Sequence, residues 1–128
     1  MQYLLWQDPV KKVIDPTLSS DMAEKLAKDI GSKGSNVNKG TQLRRFFDEI
    51  VRLNTMSRAA QTDWDQILPH VHMLLAKVAY AKGRKLVTDE FVGFMKTGIE
   101  QIKRKEDLQV FANLFEAFTA FYKIHGPN

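Results

Sequence analysis

The stretch from Asp107 to Lys123 constrains the fold more than any other part of the chain. It carries four of the eight Phe residues. At about 100° per residue, Leu108, Phe111, Phe115, Phe118 and Tyr122 share one helical face, which Leu114 and Phe121 widen. Gln109, Asn113, Glu116 and Lys123 fall on the other side. A face that broad and aromatic has to be buried against several other helices. The segment therefore anchors an all-helical core.

Helical periodicity accounts for most of the remaining sequence. A first helix begins after Pro16, with Ser19 or Ser20 as its N-cap and Gly31 as its stop; Met22, Leu26 and Ile30 form its apolar stripe. Gly31 to Gly40 reads as a flexible loop. A second helix opens at Thr41 with Leu43, Phe46, Phe47 and Ile50 on one face. Arg45, Asp48, Glu49 and Arg52 lie on its outer face, where Asp48 and Arg52 have the spacing of a surface ion pair. Asn54 to Gln61 is either its continuation or a loop. The phase of Trp64, Ile67, Leu68, Val71, Leu74, Leu75 and Val78 predicts a third helix from near Asp65 to Gly83. Pro69 falls close to its first turn, where a missing backbone N–H is tolerated. A fourth helix is capped by Thr88, with Asp89 and Glu90 against its dipole and Phe91, Met95, Ile99 and Ile102 facing inward. Without a break, the stripe of Phe111 and Phe115 would point about 180° away from that of Met95 and Ile102. A turn is therefore expected at Arg104 to Asp107. No strand-like alternation remains, so the expected fold is an all-α, single-domain bundle of about five main helices.

A length of 128 residues suits one domain with a real core. Residues 1–15 are expected to form an extended N-terminal arm and residues 16–128 the bundle. No window approaches ~18 unbroken apolar residues, so no membrane partner is expected. The Met1 to Trp6 start lacks the basic and apolar regions of a secretory signal, so secretion is not expected, and a chain without cysteine fits the expected cytoplasmic setting. The absence of cysteine excludes disulfides and thiolate metal sites.

The net charge of +4 is unevenly placed. Residues 77–105 hold eight basic residues (Lys77, Lys82, Arg84, Lys85, Lys96, Lys103, Arg104, Lys105) against three acidic ones, Asp89, Glu90 and Glu100. Such a local excess suits a phosphate-binding surface, although solvated helix ends produce the same pattern. Catalytic chemistry finds few candidates. His70 and His72 point about 200° apart on a helix and cannot chelate one ion. His125 lies near the chain's end, and Asp63 and Asp65 suit helix capping. No cofactor, metal site or enzymatic activity is expected.

Lys77, Tyr80 and Arg84 fall within about 60° of one another on the outer face of the third helix. Cations flanking an aromatic ring hold backbone phosphates and offer a base a stacking surface. Met73 and Ala76 flank them, and Met73 and Tyr80 would equally suit packing against another helix or a second copy. Neither Lys77 nor Arg84 has an acidic partner one turn away on this helix.

Three separated motifs resemble one family. Thr41-Gln42-Leu43-Arg44 is similar to the Thr-x-Ile/Leu-Arg opening of the second helix in the small helical subunit of type III-A CRISPR-Cas (Csm) effector complexes. Tyr80-Ala81-Lys82-Gly83-Arg84 resembles the Tyr-Ala-x-x-Arg ending of that family's central helix, and Leu114 to Lys123 its closing motif. Phe121-Tyr122-Lys123 stands where Tyr-His-Lys is more usual. Coverage runs from about Asn38 to Lys123, and residues 1–37 carry no part of it. The resemblance implies a non-catalytic subunit, present in more than one copy, that serves antiviral defence. Such subunits stack along the crRNA filament beside the guide–target duplex and contact the target RNA backbone, while neighbouring subunits cut nucleic acid. Its implied partners are target RNA, the other type III-A subunits and further copies of itself, with a homodimer as one form of the isolated chain. Motif matches carry over Arg44, Arg84 and Lys123; charge geometry adds Lys39, Arg45, Lys77, Lys82 and Lys85, with Tyr80 as the aromatic surface between the cations. The rival expectation is a helical protein–protein adaptor that binds no nucleic acid.

Overall fold

A computed structural model describes residues 2–127. Among them run five α-helices: α1 (Ala23–Gly31), α2 (Gly40–Ser57), α3 (Trp64–Gly83), α4 (Asp89–Glu100) and α5 (Lys105–His125). A π-helical turn, Leu18–Met22, leads into α1. The chain thus adopts the all-helical bundle expected from its periodicity.

The aromatic face of α5 lies at the centre. Leu108, Phe111, Leu114, Phe115 and Phe118 are fully buried, and α5 packs along α1 and α2. Phe94 of α4 stacks on Phe118 with ring centroids 5.0 Å apart and meets Phe115 edge-on at 5.1 Å. Offset and edge-on pairs of this kind add about 0.5–1.5 kcal/mol each beyond the area they bury. Gly98 lets α4 come this close, since a Cβ there would run into the Phe111 ring and the Tyr3 hydroxyl.

The break between α4 and α5 comes earlier than the phase of their stripes predicts. It spans 101–104, and Asp107 already lies inside α5. The cause is local: Asp107 Oδ2 accepts the backbone N–H groups of Lys103 (2.9 Å) and Arg104 (3.0 Å). The carboxylate thereby satisfies N–H groups at the helix entrance that would otherwise lack partners. Its Oδ1 accepts from Trp6 Nε1 at 2.8 Å, which ties the chain's start to the same corner. Tyr3 and Leu5 are buried in the common core, and Gln101 bonds the backbone of both.

Other boundaries shift for equally specific reasons. Neither Ser19 nor Ser20 caps α1; both lie within the π-helical turn, while Asp15 accepts from the N–H and hydroxyl of Thr17. Gly31 ends α1 without left-handed backbone. A Cβ on it would collide with the His125 backbone, so glycine is required there for close approach of α5. Asn54–Ser57 continues α2, which opens at Gly40, one residue before Thr41. Asp63 caps α3 by accepting from Asp65 N–H at 3.0 Å, leaving Pro69 in the early turns.

The loop before α2, read from sequence as flexible, is pinned at its end. Asn38 is fully buried in left-handed backbone (φ 52°). Its Nδ2 donates to Ile30 O (3.0 Å) and Thr88 Oγ1 (2.8 Å), and its Oδ1 accepts from Thr88 N–H (2.9 Å). Its backbone N–H donates to Leu86 O at 2.9 Å, and its carbonyl accepts from the Tyr122 hydroxyl. One asparagine therefore joins α1, α5 and the α3–α4 turn. Thr88 does stand at the N-cap of α4, but its hydroxyl serves Asn38 instead of closing an N–H of α4.

Candidate functional site

Helix α2 separates two grooves. The first, of about 460 Å³, lies between α2 and α3 and is lined by Arg45, Glu49, Lys77, Tyr80 and Arg84 over Phe46 and Leu74. One-turn spacing builds it. Arg45 and Glu49 are four residues apart on α2, while Lys77, Tyr80 and Arg84 step along the facing flank of α3. Phe46 and Leu74 on the inner faces are buried and fix the distance between the helices.

Charge in this groove is largely uncompensated. Among the described residues, Arg45, Lys77 and Arg84 make no ion pair. Arg84 rests on a neutral partner: its Nη1 donates to the Tyr80 hydroxyl at 3.2 Å, and its guanidinium lies 5.8 Å from the ring centroid. Tyr80 is 66% exposed and Met73 55%, so within one chain neither is packed under a neighbouring helix.

The second groove, about 360 Å³, lies between the start of α2 and the end of α5 and is lined by Arg44 and Lys123 over Leu43, Phe118 and Tyr122. Burial holds the Tyr122 phenol well above its ordinary range, so it remains a neutral donor to Asn38. Arg44 is partly engaged, 3.2 Å from Asp48 and 5.8 Å from the Phe47 ring centroid. That contact corrects the surface pairing read from sequence. Asp48 takes Arg44, and Arg52 turns back one turn to Glu49. Three- and four-residue spacings compete for the same carboxylates on a helix surface, and spacing alone does not rank them.

The nine candidate cations and aromatics therefore divide. Arg45, Lys77, Tyr80 and Arg84 share the first groove; Arg44 and Lys123 share the second. Lys39 is exposed at the N-cap of α2, Lys82 lies 3.4 Å from Asp89, and Lys85 is exposed in a left-handed turn (φ 62°). Exposed pairs such as Arg44–Asp48 and Lys82–Asp89 are worth about 0–1 kcal/mol, so breaking them costs the fold little.

Sequence reasoning placed Glu49 on the outer face of α2 without assigning it to a site. Its position one turn from Arg45 was the available signal. The hydrogen bond from Arg52 holds its carboxyl below the usual range against opposing desolvation, with Lys77 and His70 adding to the effect. No group of His, Cys, Asp and Glu among the described residues is arranged to hold a metal ion. None of the helices is long and apolar enough to cross a membrane.

Comparison with known proteins agrees with the motif resemblance and extends it. The family model described as Csm2 Type III-A matches residues 15–128, adding α1 to the region that carries the motifs. The CRISPR system Cms protein Csm2 of Streptococcus thermophilus is 26% identical over 103 residues, covering 79% of this chain and 82% of that protein. No solved structure matches the chain. With the family model spanning nearly the whole chain, the protein belongs to the Csm2 type III-A family, a subunit of the type III-A CRISPR complex.

Proposed function

We propose that this chain is a non-catalytic subunit that holds target RNA by its backbone, with several copies arrayed along the crRNA filament. The observation that carries this reading is the α2/α3 groove, where Arg45, Lys77 and Arg84 stand without ion-pair partners among the described residues around an exposed Tyr80. A subunit that serves every spacer has to read phosphate, because only the backbone is common to all sequences. Cations on rigid helices do this without a base code, and Tyr80 accepts any base face. Arg44, Lys123, Lys39, Lys82 and Lys85 would extend the contact around the α2 end of the bundle. The cytoplasm is the compartment in which such a complex would meet its target.

Fluorescence anisotropy with two unrelated single-stranded RNAs at several salt concentrations tests the reading. Affinity should be micromolar or weaker, alike for both sequences, with log K falling by roughly 0.7 per log salt for each phosphate neutralised. Strong preference for one sequence, or salt-insensitive binding, refutes it. A protein-docking role is favoured by one observation, the exposure of Met73 beside Tyr80. Light scattering would reveal self-association of the free chain through that face.

A further inference from the structure

A groove that holds phosphates through cations gains nothing from a carboxylate, yet the α2/α3 groove contains Glu49. Its side chain is 26% exposed, and Arg52 grips both oxygens, with Nε donating to Oε2 at 3.1 Å and Nη2 to Oε1. Arg52 does not line the groove, whereas Glu49 does. The guanidinium therefore fixes the carboxylate while using one acceptor position on each oxygen, and others stay open. Lys77 on the facing helix adds positive charge to its surroundings, and Arg45, one turn away, lines the same groove. Glu49 is thus an oriented acceptor with no proton to donate.

Stability does not account for this arrangement. An i, i+3 ion pair on a helix surface contributes on the order of 1 kcal/mol even when the grip is bidentate, and a carboxylate shared with Arg52 still repels phosphates arriving beside it. The cost is recovered if the nucleic acid brings a donor. Exocyclic amines vary from base to base. The 2′-hydroxyl of ribose is the donor that every RNA sequence shares and DNA lacks.

We propose that Glu49 accepts a ribose 2′-hydroxyl from a strand whose phosphates lie on Arg45, Lys77 and Arg84, and so selects RNA over DNA. This inference rests on the backbone-binding reading above. Arg52 is the positioning residue that aims the carboxylate.

The test is anisotropy on the full chain with one sequence prepared as single-stranded RNA, single-stranded DNA and 2′-fluoro RNA, the last keeping the sugar pucker of RNA without the donor. The natural protein should bind RNA about tenfold more tightly than DNA, the low end of what one hydrogen bond to a charged group contributes. The 2′-fluoro strand should bind like DNA. In Glu49→Gln and Glu49→Ala the RNA/DNA ratio should fall towards one, with DNA affinity rising as repulsion is removed and thermal melting unchanged. A ratio preserved in both variants, or a 2′-fluoro strand that binds like RNA, overturns the role of Glu49. Equal binding of RNA and DNA by the natural protein overturns it while leaving the backbone reading intact. No binding to any strand overturns both.

Discussion

The interior between α4 and α5 and the outer flank of α2 and α3 are built on opposite terms. In the interior, Phe94, Phe111, Phe115 and Phe118 are almost wholly buried and in mutual contact. On the flank, Tyr80 stands 66% exposed among cations that have no ion-pair partners within the described residues. Stability is thus concentrated where side chains cannot be reached from solvent. The flank is free to carry charge at little cost to the fold. Changes in the two regions should accordingly separate, one set moving melting temperature and the other moving RNA affinity.

The interior gives the largest effect. Phe94→Ala should destabilise the bundle by about 4 kcal/mol, read by chemical denaturation, while the fraction that remains folded keeps its RNA affinity. Asn38→Ala comes next, at about 3 kcal/mol, because it strands the N–H of Thr88 and the carbonyl of Ile30 and places alanine in left-handed backbone. Asn38→Gly should recover the backbone part of that loss. On the flank, Arg84→Glu should weaken RNA binding about tenfold, equivalent to 1.4 kcal/mol, with stability unchanged within about 0.5 kcal/mol. A collapse in melting with Arg84→Glu would erase the separation of the two regions.

Comparing Arg45→Gln with Arg44→Gln sharpens it further. The unpaired Arg45 should cost more RNA affinity than Arg44, which is shared with Asp48 and Phe47. The smallest effect belongs to acid pH. His125 Nε2 lies 2.9 Å from Glu24 Oε2, and this hydrogen bond holds the Glu24 carboxyl below its ordinary value of 4.5. A depressed carboxylate contributes stability that is complete above the ordinary value and is lost as pH falls through the lower, folded one. His125→Gln should reduce the stability gained between those two pH values in a urea-denaturation series.

What sequence reveals follows the same division. Apolar periodicity exposed every main helix, because a stripe with a 3.6-residue period has only one way to be buried. The Leu108–Tyr122 face located the core for that reason. Long-range polar contacts left no such trace. Asn38 sits in a Gly-, Ser- and Asn-rich stretch that reads as loop, and its partners Ile30, Thr88 and Tyr122 are scattered along the chain. Asp107 looked like part of a turn although its hold on the N–H groups of Lys103 and Arg104 is local, and its second bond, to Trp6 101 residues away, left no trace in the sequence. At the site, Lys77, Tyr80 and Arg84 were visible as one flank of one helix. Sequence did not reveal that Arg44 and Arg45, adjacent in the chain, open into different grooves. A step of about 100° puts neighbours on different flanks, and only the packing of α3 and α5 on either side of α2 decides what each flank meets.

The most direct test compares the salt dependence of RNA binding for the natural protein and an Arg45→Gln/Lys77→Gln/Arg84→Gln variant. Losing three phosphate contacts should flatten the slope of log K against log salt by about 2, with the melting curve unmoved. An unchanged slope would mean that phosphates are held elsewhere on the molecule or not at all.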